Sequence, residues 1–89
     1  MEPVELVASA RTAVEAIAWE AKERETKINV NGEPSLVVYG HARNLERLLR
    51  NLIENAVRHS PKGGCVDIVV EQRGEIAEVS VTDEGPGIA

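Results

Sequence analysis

Residues 42–59 read ARNLERLLRNLIENAVRH, and this stretch predicts the central element of the fold. Apolar side chains recur in it three and four residues apart, which is the spacing of an amphipathic helix with a wide buried face. Pro61 follows closely and predicts where the helix ends. We expect the whole apolar stripe to be buried on a sheet; its members are Leu45, Leu48, Leu49, Leu52, Ile53, Ala56 and Val57.

The sequence before this helix predicts one longer helix and two short strands. Apolar residues recur at spacings of three and four over residues 3–24, and Pro3 suits the first turn of such a helix. Residues 27–30 alternate polar and apolar side chains, and residues 36–39 form a short apolar run rich in strand formers. The NGE sequence at residues 31–33 is typical of a turn between the two strands.

After the helix, two alternating runs predict an antiparallel hairpin. Residues 66–70 and residues 77–81 each alternate apolar and polar side chains, and Arg73 and Gly74 lie between them. The order of helix, two strands, helix and two strands predicts an α+β fold. We expect a two-layer sandwich with helices on one face of a single mixed, mainly antiparallel sheet.

The composition narrows the class of protein. With 43% hydrophobic and 28% charged residues, the 89-residue chain has the composition of one globular domain. A net charge of −5 and the absence of a basic run predict no nucleic-acid binding. Cys65 is the only cysteine, which excludes an internal disulfide and a cysteine zinc site and favours a reducing, cytoplasmic location.

Three polar side chains on the predicted helix form a second stripe. Asn51 and Asn55 are one turn apart, and Arg58 follows on nearly the same line. Asparagine has weak helix propensity, but its carbonyl oxygen can ligate Mg²⁺, an ion that also binds nucleotide phosphates. Arginine recognises phosphate groups. The alternative interpretation is that this stripe is a solvated outer face.

The last residues, 82–89, read TDEGPGIA and follow the second strand of the hairpin. A carboxylate such as Asp83 at a strand end can accept a hydrogen bond from an exocyclic amine. The glycines after it let a planar base approach the backbone closely. A simple turn made by the same Asp and Gly residues is the alternative interpretation.

At these residues the sequence resembles the ATP-binding catalytic domain of sensor histidine kinases, within the wider group that includes gyrase, heat-shock protein 90 and the mismatch-repair ATPases. The stretch NLIENAVRHSPKGG is similar to that family's N box, at residues 51–59, and VTDEGPGIA is similar to its first glycine box, at residues 83–87. The resemblance implies a Bergerat-type ATP-binding fold, with ATP and Mg²⁺ as cofactors.

The resemblance also implies a role for each matching residue. Asn55 corresponds to the principal Mg²⁺ ligand, and Asn51 assists it at the phosphates. Arg58 corresponds to the basic residue that contacts phosphate, and Asp83 corresponds to the residue that reads the adenine amino group. The remaining nucleotide contacts would come from His59, Gly85, Gly87 and Ile88. For His59, an interaction with the helix dipole is the alternative role.

The residue types favour phosphoryl transfer over hydrolysis. In the gyrase-like ATPases a glutamate four residues before the Mg²⁺ asparagine activates water, but this position is Asn51, which cannot act as a general base. Transfer to a protein histidine depends mainly on positioning, metal and charge neutralisation. Glu54 is the neighbouring acid that would polarise that histidine, so Asn51 and Glu54 are the predicted catalytic residues. His41 stands where the family often has Asp, and we expect a capping or surface role for it.

Residues 1–89 are expected to form the first two-thirds of such a domain, because the family continues with a mobile lid, a second glycine box and further strands. The chain alone is therefore expected to be inactive. In the parent protein the resemblance implies a separate histidine-bearing dimerisation domain and a response regulator. It also implies an inner-membrane sensor that keeps this domain in the cytoplasm.

Two other interpretations stay open at this point. In the first, the chain is part of a serine kinase of the anti-sigma type, which shares both boxes. In the second, it is a fold fragment that does not bind nucleotide. The strand at residues 76–82 is expected to be a free sheet edge. A free edge presents unpaired backbone groups, so we expect a homodimer in which a second copy of the chain pairs there.

Overall fold

The computed structural model describes residues 1–33 and 36–84. Helices and strands pack as two layers, with the first and the longest helix in contact with each other and with the strands. Among the described residues, no helix is both long enough and apolar enough to cross a lipid bilayer. The elements in chain order are β1 (Glu2–Glu5), α1 (Leu6–Ala16), α2 (Ala18–Glu23), β2 (Lys27–Gly32), β3 (Val37–Gly40), α3 (Ala42–His59), β4 (Cys65–Arg73) and β5 (Ile76–Glu84).

The strands of the described residues form two sheets. β1 pairs antiparallel with β3, and a second sheet has the order β2-β4-β5. In that second sheet β2 runs parallel to β4, whereas β5 runs antiparallel to β4. The predicted α+β class, with mixed and mainly antiparallel pairing, is confirmed. The prediction of a single sheet is wrong, because β1 and β3 form a two-stranded sheet of their own, separate from the other three strands.

The amino-terminal residues form a strand rather than the first turn of a helix. Pro3 lies on β1, which pairs with β3, and α1 begins only at Leu6. Val4 is buried, so the extended backbone gains both hydrogen bonds and apolar contact there. The predicted single helix is also interrupted at Ile17, whose N–H bonds to the carbonyl of Val14 in a tighter turn. Pattern alone missed both features, since the apolar spacing continues across them.

The two strands that precede α3 do not pair with each other. β2 runs parallel to β4, with Lys27 opposite Cys65 and Gly32 opposite Val70. Parallel neighbours need a long crossover connection, and α3 lies within it. Residues 31 and 32, which were predicted as a turn, therefore belong to β2. β3 pairs with the amino-terminal strand instead.

The predicted hairpin of β4 and β5 is confirmed. Its turn includes Gly74, whose φ of 60° lies in the left-handed region that glycine adopts at low cost. Residues directly opposite each other in an antiparallel pair share one face of the sheet. On the helix-covered face the register pairs Val66 with Asp83, Ile68 with Val81 and Val70 with Val79.

The hydrophobic core lies where α3 and α1 cover β4. From α3 it takes Leu49, Ile53 and Val57, which are 3%, 0% and 0% exposed. Leu48 and Leu52 are 54% and 44% exposed, so the prediction that the whole stripe is buried is wrong for these two. Leu52 lies about 100° around the helix axis from Ile53, outside the sector that the sheet and α1 cover.

Gly32 on β2 is expected not to tolerate a larger side chain. A Cβ atom there would lie 2.6 Å from the carbonyl oxygen of Val70 and 3.1 Å from a methyl group of Val7. The carbonyl belongs to the neighbouring strand and cannot move without distorting strand pairing. We expect Gly32→Ala to lower the free energy of unfolding by about 1–3 kcal/mol, measured by chemical denaturation.

The neighbouring exposed residue provides the control for this prediction. Asn31→Ala is expected to change the free energy of unfolding by less than about 0.5 kcal/mol, because surface substitutions away from special features are nearly neutral. A Gly32→Ala protein as stable as the unsubstituted chain would contradict the close approach of β2 and β4.

Candidate functional site

The two asparagines of the predicted site lie exposed on α3. Asn51 and Asn55 are one helical turn apart, on the side away from the buried Ile53, so their amide oxygens can reach the same ion. Mg²⁺ prefers oxygen ligands and usually keeps waters and phosphate oxygens in its shell. Two neutral amide oxygens with room for further ligands therefore fit this ion.

Exposed leucines flank these amides. Leu48 lies three residues before Asn51, and Leu52 lies three residues before Asn55, so each leucine adjoins an asparagine on the helix surface. An apolar surface beside polar groups is typical of a site for a planar organic ligand. The sequence did contain a signal for this, since the predicted apolar stripe spans about 180° of the helix, more than the face of about 100° that one layer usually buries.

Arg58 is held by two carboxylates in the described structure. Its Nε lies 3.3 Å from Oε2 of Glu20 on α2, and its Nη2 lies 3.5 Å from Oε1 of Glu54 one turn earlier on α3. The Arg58 side chain is 59% exposed. A phosphate group that binds Arg58 must therefore compete with Glu20 and Glu54. Glu54, predicted to polarise an acceptor histidine, is likewise engaged with this arginine.

The carboxyl end of α3 is capped by an arginine from a distant part of the sequence. The guanidinium of Arg24 donates hydrogen bonds to the carbonyl oxygens of Val57, Arg58 and Ser60, at 3.1, 2.8 and 3.3 Å. A cation at this end satisfies unpaired carbonyls and is favoured by the helix dipole. Arg24 thus positions the helix end that carries Arg58. Sequence reasoning missed it, because the contact joins residues with no local pattern in common.

The two histidines lie at the two ends of α3. His59 is its last residue and is exposed, next to the buried Ser60. His41 is the residue before the first turn, is exposed, and makes no side-chain hydrogen bond to cap the helix. Of the two roles predicted for His41, capping and surface, the structure therefore agrees with the surface role. The predicted nucleotide contact of His59 stays a prediction.

Asp83 lies on β5 at the end of the sheet that adjoins the carboxyl end of α3. It is exposed and stands opposite the buried Val66, on the face of the sheet that the helices cover. Only residues 60–64 separate the end of α3, near Asn55, from the start of β4. The start of β4 pairs with the end of β5 that carries Asp83. The topology therefore brings the Asp83 end of β5 and the Asn55 end of α3 to the same side of the molecule.

Three predicted site residues, Gly85, Gly87 and Ile88, lie outside the described residues. The predicted cleft between α3 and residues 83–88 stays a prediction for that reason. Among the residues that the structure describes, no group of three or more His, Cys, Asp or Glu side chains could hold a metal ion. A Mg²⁺ site here would depend on the asparagines and on the phosphates of a ligand.

Residues 40–89 match the family described as histidine kinase-, DNA gyrase B-, and HSP90-like ATPase. This range contains Asn51, Asn55 and Asp83. Over its full length the chain aligns with the sensor protein SphS of Synechococcus elongatus, with 37% identity over 92 residues. The alignment covers 100% of the chain and 22% of SphS, so the chain spans about a fifth of the length of this relative.

Solved structures with the same fold include two histidine kinases. The mycobacterial sensor histidine kinase MprB superposes with a TM-score of 0.84 and 30% identity, over 99% of the chain and 58% of the MprB chain. The nucleotide-free catalytic domain of histidine kinase ThkA superposes with a TM-score of 0.87 and 22% identity, over 100% of the chain and 63% of that domain. ThkA has also been solved in complex with the response regulator protein TrrA, where the TM-score is 0.84 at 20% identity, over 98% of the chain and 26% of the ThkA chain.

Proposed function

The chain belongs to the histidine kinase-, DNA gyrase B-, and HSP90-like ATPase family, and from this premise we propose that it is the ATP-binding catalytic portion of a two-component sensor histidine kinase. In the whole protein it transfers the γ-phosphate of ATP to a histidine on a separate dimerisation domain. The observation that supports the proposal is the order of the elements, since only residues 60–64 separate the helix that carries both asparagines from the start of β4, which pairs with the Asp83 end of β5.

In this proposal each site residue has one task. Asn55 ligates Mg²⁺, assisted by Asn51, and the ion neutralises charge on the phosphates. Arg58 leaves Glu20 to meet a phosphate, and Asp83 accepts a hydrogen bond from the adenine amino group. Asn51 also lacks the acid–base chemistry needed to activate water, which supports transfer to a protein group over hydrolysis.

Other residues complete the proposed site and its boundaries. Glu54, released from Arg58 on nucleotide binding, polarises the acceptor histidine. His59 lies beside the nucleotide, and the base pocket is closed by the glycine box at residues 83–87 together with Ile88. Residues 1–89 form the first two-thirds of the catalytic domain, with the N box at residues 51–59. The coverage of the MprB chain and of the ThkA catalytic domain, 58% and 63%, supports that boundary.

The partners and location of the parent follow from the same proposal. The phosphorylated histidine passes its phosphoryl group to a response regulator, and the ThkA complex with TrrA supports a partner of that kind. The catalytic portion lies in the cytoplasm, where ATP is available, whether or not the parent is an inner-membrane sensor. The similarity to named sensor kinases favours histidine over serine as the acceptor.

Asn55→Ala is expected to weaken Mg·ATP binding to the 89-residue chain by about tenfold, because loss of one ligand oxygen removes about 1–1.5 kcal/mol. Without Mg²⁺, the substituted and unsubstituted chains are expected to bind ATP equally. NMR titration with ATP, with and without Mg²⁺, measures both affinities. We expect the unsubstituted chain to bind Mg·ATP with a dissociation constant above the low micromolar range. Both amides are exposed, so they make few contacts with the phosphates.

Asn44→Ala is the matched control for this experiment. Asn44 is an exposed asparagine on the same helix, two turns before Asn51, and it has no assigned role in binding. The control is expected to leave the affinity unchanged in either condition. Equal loss in both variants, or loss that persists without Mg²⁺, would contradict the ligand role of Asn55. No ATP binding at all would favour a fold that does not bind nucleotide.

For the 89-residue chain the proposal includes a homodimer formed along β5. This strand is at one end of the order β2-β4-β5, so its outer backbone groups have no strand partner among the described residues. It also exposes 68% of Ile76 and leaves Val79 and Val81 partly buried. Glu78 is the only charged residue between Ile76 and Val81, and a strand edge with so little charge recruits another strand.

Light scattering at micromolar concentration is expected to show a dimer, and Ile76→Lys is expected to shift the chain to a monomer. A lysine on an edge strand opposes pairing through its charge. Tyr39→Lys is the control, because Tyr39 is 73% exposed on the other sheet and outside the proposed edge. A monomeric unsubstituted chain, or equal dissociation in both variants, would rule out pairing along β5.

A further inference from the structure

A groove between α1 and α3 is lined by three arginines, and the nucleotide site does not use them. Arg43, Arg47 and Arg50 lie on one side of α3, in a groove with a volume of about 520 Å³. Within residues 1–33 and 36–84, none of the three takes part in an ion pair or a side-chain hydrogen bond. Arg24 and Arg58, in contrast, are both engaged by protein groups.

This groove is distinct from the proposed nucleotide site. Its walls come from the side of α3 that faces α1, and neither Asn51 nor Asn55 lines it. Asp83 is also absent from its lining, since that residue lies on β5. A nucleotide bound as proposed would therefore leave all three guanidinium groups without a partner.

The shape of the groove suits a helix. Its lining includes Ala13 and Ala16 of α1 and Ala42 of α3, whose small side chains allow a third helix to approach to the usual interaxial distance of about 8–10 Å. The arginines are four and three residues apart, so they extend along α3 for about 10 Å, or two turns. A helix lying along the groove would meet all three.

The charge of the groove selects the class of ligand. Glu2 and Glu46 line it together with the arginines, and their carboxylates would repel a dense polyanion such as nucleic acid or a polyphosphate. The net charge of −5 also disfavours nucleic acid. A protein segment can place carboxylates opposite the arginines and leave neutral or basic side chains opposite Glu2 and Glu46.

We propose that this groove docks an acidic helical segment of a partner protein. Carboxylates at spacings of four and three residues would each accept paired hydrogen bonds from one guanidinium group, which is the geometry that arginine provides and lysine does not. Ala13 is buried in the core, but Ala16 and Ala42 are accessible, and apolar contact with these two adds the helix-in-groove packing common to such complexes. The proposal does not depend on the nucleotide site.

The test uses the 89-residue chain and a synthetic alanine-based helical peptide with three glutamates spaced four and three residues apart. NMR titration is expected to shift the amide signals of residues 12–16 and 42–50. The same peptide with glutamine in place of glutamate is expected to bind at least tenfold more weakly. The affinity for the glutamate peptide is also expected to fall as salt rises, because exposed ion pairs are screened.

Two protein variants with different substitutions locate the interaction. The double substitution Arg47→Gln with Arg50→Gln is expected to weaken peptide binding at least tenfold while leaving ATP binding and the circular dichroism spectrum unchanged. Arg11→Gln is the control, because Arg11 is an exposed arginine of α1 that does not line this groove. It is expected to bind the peptide as the unsubstituted chain does.

Several outcomes would overturn the proposal. They are the absence of peptide binding at millimolar concentration, equal binding of the glutamine peptide, and equal loss in the Arg11→Gln variant. Displacement of the peptide by an equal concentration of inorganic phosphate would instead identify a site for small anions. ATP and the peptide are titrated separately. Failure of the unsubstituted chain to bind ATP would therefore count against the proposed function and would not affect the conclusion about the peptide.

Discussion

Asp83→Ala is expected to weaken ATP binding by about 10- to 100-fold, because a hydrogen bond to a charged group contributes about 1.5–3 kcal/mol. The carboxylate is on the helix-covered face of β5, opposite the buried Val66, and is exposed at the end of the strand. An acceptor at this position can recognise an exocyclic amine. NMR titration with ATP measures the affinity.

A second nucleotide separates base recognition from a general loss of binding. Inosine triphosphate carries a carbonyl oxygen where ATP carries the amino group, so it cannot donate a hydrogen bond to Asp83 from that position. We expect the unsubstituted chain to prefer ATP and the Asp83→Ala variant to bind both nucleotides equally. Thr82→Ala is the matched control, because Thr82 is exposed and lies on the opposite face of the same strand. Retained preference for ATP in the Asp83→Ala variant would show that another group reads the base.

Ile53→Ala is expected to lower the free energy of unfolding by about 3–4 kcal/mol, since burial of a large aliphatic side chain is lost and a cavity is left. Ile53 is 0% exposed at the centre of the contact between α3 and β4. A chain of this size has a total stability of only about 4–13 kcal/mol, so the loss is a large fraction of it. Chemical denaturation monitored by circular dichroism measures the change.

Leu52→Ala tests the same chemical change on the neighbouring residue. Leu52 is 44% exposed, so its truncation removes less burial and leaves no closed cavity. We expect a loss of less than about 1.5 kcal/mol. If Leu52→Ala destabilised the chain as much as Ile53→Ala, the orientation of α3 would be wrong. A strong effect of Leu52→Ala on ATP binding, with little effect on stability, would assign this leucine to the nucleotide site.

Elements with a regular hydrophobic period, and the pair of strands β4 and β5 joined by a short turn, were predictable from the sequence. α3 and the hairpin of β4 and β5 each carry a strong period, of 3.6 or 2 residues; the bounds of α3 were predicted to the residue and those of the two strands to within three residues. The choice of partner strands was not predictable. β2 and β3 are consecutive strands in the sequence, yet β2 bonds to β4 and β3 bonds to β1. Strand partners depend on how α3 packs, and no local pattern encodes that.

The site was predictable in its residue types and less so in their contacts. Asn51, Asn55 and Asp83 were selected because their chemistry suits a magnesium nucleotide, and all three are exposed. One partner of Arg58, Glu20, comes from α2, and the cap at the end of α3 comes from Arg24 just after α2, both more than thirty residues earlier in the chain. Only the folded structure joins Glu20 and Arg24 to that helix, so both were missed.

The parallel pairing of β2 with β4 determines the order in which this chain can fold. Asn29 and Asp67 are opposite each other and 38 residues apart, and their side chains are joined by a 3.0 Å hydrogen bond. During synthesis from the amino terminus, β2 therefore emerges long before its partner strand β4 exists. The hairpin of β4 and β5 closes through a short turn, whereas pairing of β2 with β4 must close a loop that contains α3. Such distant pairing slows folding and leaves β2 open to other chains in the meantime.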